Sequence, residues 1–175
     1  MKTTLFIAFF ALISSLKISQ KGIDLIKEFE GCKLEAYKCP AGKWTIGYGT
    51  TDADYSITKT KIKAGLKISK QQAEKWLRQS LNKIYCPKVN KYNNKYHWTQ
   101  NEFDAMVSFA YNLGSIDELC AKGKRSKSQI ANEMLKYVKA NGIVLPGLVK
   151  RRKKERVLFL SKDNGDKVKD VKDKV

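Results

Sequence analysis

The apolar positions divide the chain into a hydrophobic start, a periodic middle and a polar end. Thr3 to Leu16 is apolar on every face, with Met1 and Lys2 in front of it. That run is shorter than the roughly 20 residues needed to cross a bilayer, and it suits the apolar part of a cleavable leader. Ser14 and Ser15 supply small residues near a cleavage point, although there is no Ala-x-Ala. The reading is a leader over 1–19; a buried first helix and an uncleaved anchor are the alternatives. Ser19 then caps a helix from about Gln20 to Glu30, with Ile23, Ile26 and Phe29 on one face and Gly31 as its stop.

From Cys32 to about Leu66 the period changes. Trp44-Thr45-Ile46-Gly47-Tyr48-Gly49-Thr50-Thr51 predicts strands and tight turns, with Cys39-Pro40-Ala41-Gly42 as the turn before them. Ser69 and Gln72 predict a capping box and a helix to about Tyr85, ended by Cys86-Pro87. Thr99 and Glu102 open another helix, which carries Phe103, Met106, Val107 and Tyr111 and stops at Gly114. Two more are predicted, from Ser126 to Asn141 before Gly142, and from Pro146-Gly147 to near Ser161. Lys162 to Val175 alternates Lys, Asp and Val, has nothing large to bury, and reads as a disordered tail. The class is therefore α+β, with one domain over 20–161.

Composition supports a packed core: 42% of residues are hydrophobic and 10% aromatic. Charge adds more. The chain has 35 Lys+Arg against 17 Asp+Glu, a formal +18, and loss of a leader with Lys2 and Lys17 leaves +16. Such an excess favours polyanions: nucleic acid, anionic lipid or an acidic bacterial envelope. Lysines dominate and are spread along the whole length, which suits diffuse attraction. No groove-reading motif is present, so no specific nucleic-acid partner is expected. Export would expose Cys32, Cys39, Cys86 and Cys120 to oxidation, with three possible pairings. Metal binding is not expected, because there is no Cys-x-x-Cys and His97, read as a surface residue, is the single histidine.

Several stretches resemble the phage-type lysozymes (endolysins, glycoside hydrolase family 24). They are Gly22-x-x-Leu25-Ile26-x-x-Phe29-Glu30-Gly31, Ala36-Tyr37, Pro40-Ala41-Gly42 and Trp44-Thr45-Ile46-Gly47-Tyr48-Gly49-Thr50. Thr99-Gln100-x-x-Phe103-Asp104-Ala105-Met106-Val107-Ser108-Phe109-Ala110-Tyr111-Asn112-Leu113-Gly114 is similar to the family's central helix. Gly147-Leu148-Val149-x-Arg151-Arg152-x-x-Glu155 is similar to its C-terminal signature. The resemblance implies a lysozyme-like fold in which a long helix joins the β lobe to a helical lobe across a cleft. It also implies cofactor-free hydrolysis of the β-1,4 bond between N-acetylmuramic acid and N-acetylglucosamine in bacterial peptidoglycan. The expected form is a monomer with no membrane span after processing, secreted or held in a phagosome or lysosome, used in defence or digestion. A lytic transglycosylase and a non-enzymatic cationic antimicrobial protein are the alternatives.

A glycosidase needs an acid to protonate the leaving oxygen and a second group to activate water or stabilise the oxocarbenium-like transition state. Glu30, at a helix end beside the β lobe, is suited to the first task. The family's pattern of Glu, eight residues, Asp or Cys, five residues, Thr falls on Glu30, Cys39 and Thr45. Resemblance thus implies that Glu30 is the acid and that Thr45 helps to hold the attacking water. Cys39 stands where the commoner form has aspartate, and three readings are open: catalytic thiol, disulfide partner, or thiol masked by Cys32. Cys86 and Cys120 are expected to bridge. Arg151 or Arg152 would orient Glu30, while Asn112 and Tyr48 would bind sugar; for each, plain packing, pairing or capping is the alternative. Thr50 stands where many relatives have histidine.

Overall fold

The computed structural model describes residues 15–163. The apolar run up to Ser14 and the tail from Asn164 lie outside the described residues.

Helix α1 (Gln20–Glu30) starts where Ser19 accepts a hydrogen bond from Gly22 N, and Gly31 closes it with its N–H on Lys27 O. Ile23 and Ile26 are buried and Phe29 is half-buried. Three antiparallel strands follow in the order β1 (Lys33–Lys38), β2 (Trp44–Gly47) and β3 (Thr50–Thr51). Thr45 pairs with Thr51, and Ile46 with Thr50. The backbone near Leu66 and Ile68 bonds to the outer side of β1. Ile46, Ile62 and Trp76 form a small core beneath this sheet. Short α2 (Tyr55–Thr58) leads on to α3 (Lys70–Ser80).

The helix expected to end at Cys86-Pro87 instead passes through a π turn over Leu81–Tyr85 and continues as α4 (Cys86–Asn90). The Cys86 N–H reaches Leu81 O, so the wider turn accommodates a proline that an unbroken α-helix would reject. Pro87 then occupies the first turn of α4, where its missing N–H costs nothing. Short α5 (Asn93–Tyr96) precedes α6 (Gln100–Leu113), which has the expected Thr99–Glu102 capping box and ends at Gly114. Every residue of α6 from Asn101 to Ala110 is buried, so it is the axis of the main core rather than an amphipathic surface helix. It packs against α1, α4 and α8 (Pro146–Leu160). Gly22 allows α1 to approach: a Cβ there would lie 2.8 Å from Asp104 Cβ.

The helix expected over Ser126–Asn141 is shorter. After α7 (Lys127–Met134), strands β4 (Lys139–Ala140) and β5 (Ile143–Val144) form a two-stranded hairpin. Asn141 and Gly142 have φ of 49° and 79°, the left-handed pair that a tight hairpin turn demands. The folded region also extends beyond 20–161. Asn90 pairs with both the N–H and the carbonyl of Leu16, and Ile18 is buried. At the other end, Asp163 accepts from Gln100 N and Asn101 N at the start of α6. No helix among the described residues is long and apolar enough to cross a membrane.

Candidate active site

Glu30 is the last residue of α1, and its side chain is 23% exposed. Two hollows meet at it. One, of about 180 Å³, is polar and is lined by Gly49, Thr50, Asp54, Ser80, Tyr85, Tyr111 and Asn112 as well as Glu30. The other, of about 460 Å³, has the apolar wall Phe29, Leu145, Pro146 and Leu148, again with Glu30 and Asn112 and with Arg151. Glu30 and Asn112 are therefore common to both sides of one groove.

Of the two arginines expected near Glu30, Arg151 reaches it: its Nη1 donates to Glu30 Oε1 at 2.6 Å. Arg152 turns the other way and donates from Nη2 to Asn112 Oδ1 at 2.9 Å. Behind them lies Glu155, fully buried and unassigned by the sequence reading. Its Oε1 accepts from Ser108 Oγ at 2.7 Å, Arg151 Nε at 3.1 Å and Arg152 Nη2 at 3.2 Å. Burial pushes the Glu155 carboxyl up, against the pull of both guanidinium groups. Burial also lowers Arg152 to about 10.

Tyr111 fixes the groove floor, donating to the Tyr48 carbonyl at 2.6 Å and stacking edge-on with Tyr85 at 5.0 Å. Burial raises both phenols, and the nearby charges of Glu30 and Asp54 raise them further. Asp54, a carboxylate the sequence reading missed, has Oδ2 held by the Thr51 N–H at 2.9 Å. Gly49 sits here with φ of 99°, and a Cβ would lie 3.5 Å from Tyr111 Oη and 3.9 Å from Glu30 Oε2.

Tyr48, expected to bind sugar, is instead a core residue: it is 3% exposed and lines neither hollow, and only its carbonyl reaches the groove floor, as the acceptor for Tyr111. Thr50 lines the polar hollow and His97 is exposed. Cys39 and Thr45 come together with each other, at the turn between β1 and β2, and line neither hollow beside Glu30. The Lys43 backbone N–H, the Thr45 hydroxyl and the Ala41 N–H hold the Cys39 thiol below its ordinary value. Cys32 lies at the opposite end of six-residue β1, beside Tyr48. An extended strand of that length separates the two sulfurs by roughly 20 Å, far beyond disulfide reach, so masking by Cys32 does not fit this conformation. Cys86 and Cys120 are also unbridged: both are buried free thiols with different neighbours, pushed up by burial to about 11 and about 12. Among the described residues, no group of three or more His, Cys, Asp or Glu side chains could hold a metal ion.

The chain that carries this site has relatives among known proteins. The model of the family described as "Phage lysozyme" matches residues 27–155. This chain belongs to the phage lysozyme family. The endolysin of Lactococcus phage c2 is 42% identical over 146 residues, which cover 82% of this chain and 60% of that relative. The chain thus spans less than two thirds of the relative's length. Among solved structures, the endolysin of Escherichia coli O157:H7 phage FAHEc1 superposes with a TM-score of 0.70 at 36% identity, covering 85% of this chain and 96% of that one. The muramidase domain of SpmX from Asticaccaulis excentricus gives a TM-score of 0.66 at 34% identity, over 83% and 99%. Membership accounts for the lysozyme-like α+β fold expected from the sequence.

Proposed function

We propose that this phage lysozyme homologue is a muramidase that hydrolyses the β-1,4 bond from N-acetylmuramic acid to N-acetylglucosamine in bacterial peptidoglycan. The observation that carries the proposal is Glu30, gripped by Arg151 where a polar and an apolar hollow meet. Glu30 gives its proton to the leaving glycosidic oxygen while the bond from that oxygen to the anomeric carbon breaks. Water then forms the new bond from its oxygen to the anomeric carbon and gives up a proton to the thiolate of Cys39. Cys39 and Thr45 are the proposed pair that activates and holds this water, supported by the amide-rich setting that favours the thiolate. Asn112 presents its amide to a sugar N-acetyl group, and Asp54 accepts from sugar hydroxyls on the opposite wall.

The excess positive charge draws the enzyme to acidic walls, outside the cytoplasm, where it digests or defends against bacteria. The contacts of Leu16 and Ile18 favour removal of a leader before Leu16 rather than after Ser19. One observation favours a neighbouring reaction: Cys39 and Thr45 do not line the hollows at Glu30, and a lytic transglycosylase needs only one acid. Analysis of the products from purified peptidoglycan decides between them. Reducing muramic-acid ends are expected; anhydro-muramyl ends would replace hydrolysis with transglycosylation, and an absence of either would remove the enzyme reading.

A further inference from the structure

We propose that buried Glu155 is a positioning residue that sets the acid and the sugar-facing amide as one unit; this deepens the muramidase reading and rests on it for its activity tests. Glu30 and Asn112 are the two polar groups shared by both hollows, and each is one guanidinium away from the same carboxylate. Through Arg151, Glu155 Oε1 connects at 3.1 Å to the guanidinium that bonds Glu30 at 2.6 Å. Through Arg152 Nη2 it connects at 3.2 Å to the nitrogen that bonds Asn112 at 2.9 Å. Ser108 braces both sides, with Oγ donating to Glu155 at 2.7 Å and the backbone carbonyl accepting from Arg151 Nη2 at 3.2 Å.

Electrostatics makes this carboxylate different from an ordinary core residue. Arg151 and Arg152 are adjacent, with side chains 4% and 0% exposed, and Glu155 is the buried anion between them. A neutral group in its place leaves two cations facing each other without solvent. Arg152 is tied to the same carboxylate a second time, its Nε lying 2.9 Å from Glu155 Oε2. Its Nη1 has no hydrogen-bond partner, and its guanidinium lies over the Phe109 ring at 4.6 Å. Removing the negative charge therefore takes the ion partner from Arg152, loosening its hold on Asn112, and leaves Arg151 to Glu30 and the Ser108 carbonyl. Acid placement and sugar binding change together, although Glu155 touches neither substrate nor cleft.

The charged and titratable groups facing this unit are Arg151 and Arg152 on α8, Glu30 on α1, and Tyr111 with Asp54 across the groove. The test is Glu155→Gln in the full chain, with Arg151→Gln and the double variant. Clearing of purified walls by Glu155→Gln should fall about 10- to 100-fold, the scale of a small misplacement of reacting groups. The alkaline limb of its pH–activity profile should move to lower pH. The double variant should be no worse than the more impaired single variant. Additive losses with an unmoved pH profile would show a merely structural role and overturn the proposal. Should Glu155→Gln fail to fold, Arg152→Lys tests the same unit from the other side: KM rises with kcat largely kept, and an unchanged KM overturns it. If the parent protein cleared no walls, the muramidase reading would fail by itself. The crystal structure of Glu155→Gln would still decide the inference, which stands if Arg152 leaves Asn112 and falls if both arginine contacts persist.

Discussion

The proposed acid role of Glu30 calls for three kinds of neighbour: a helix end that delivers it to a groove, a cation that fixes its rotamer, and an opposite wall to receive sugar. The helix end was readable from Ser19 and Gly31, which bracket α1. The cation was readable only as a pair, because adjacent helical residues point about 100° apart and periodicity does not say which one faces α1. The opposite wall was not readable. Asp54, Ser80 and Tyr85 come from separate turns and helix ends that only tertiary folding brings together. Thiol chemistry is decided at this scale as well. Cys39 sits among N–H and O–H donors, whereas burial disfavours the thiolates of Cys86 and Cys120. Iodoacetamide near neutral pH should alkylate Cys39 while leaving those two untouched until the protein unfolds. Equal labelling of all three in the folded protein would contradict the assignment. Cys39→Ser should then lower wall clearing by about 100-fold with little change in melting temperature; unaltered clearing would remove Cys39 from the reaction.

Helices α1 and α6 were legible because their caps and apolar spacing agree, and both appear within a residue or two of expectation. The misreadings occurred where two local signals compete. Pro87 reads as a helix breaker, yet the π turn before it carries the chain through. Asn141-Gly142 reads as a helix stop, but it is the turn of the β4–β5 hairpin, whose short strands leave Ile143 and Val144 exposed. A glycine of the sheet also matters to the site. Gly49 follows β2 with φ of 99°, and its missing side chain leaves the groove open between Tyr111 and Glu30. Gly49→Ala should cost about 1–2 kcal/mol in stability, because an L-residue resists that backbone angle, and it should impair clearing as well. A substitution with an unchanged denaturant midpoint would show that the turn relaxes easily.

Over the whole molecule, charge was the most legible property and the least informative about fold. A formal +18 spread along the chain should speed encounter with acidic walls. Clearing should therefore slow as the Debye length shrinks from about 30 Å at 0.01 M salt to about 10 Å at 0.1 M; a flat salt dependence would exclude steering. Stability should follow the opposite sign of charge. Asp117 is held below its ordinary value of 3.8 by Tyr92 and Lys91, and Glu133 below 4.5 by Lys136. A depressed carboxyl stabilises the fold above its unfolded value, and that stabilisation is lost as pH falls through the lower folded value. Thermal stability should accordingly decline below about pH 4; a melting temperature constant down to pH 2 would rule out this linkage.

The central claim is that one carboxylic acid at the end of α1 performs the chemistry, and the most direct measurement is the clearing of purified peptidoglycan by Glu30→Gln. That variant keeps the shape of the groove, and its rate should fall by roughly 100- to 10,000-fold, the contribution of a positioned general acid, while wall binding persists. Clearing at the parent rate, with the variant folded, would contradict the account.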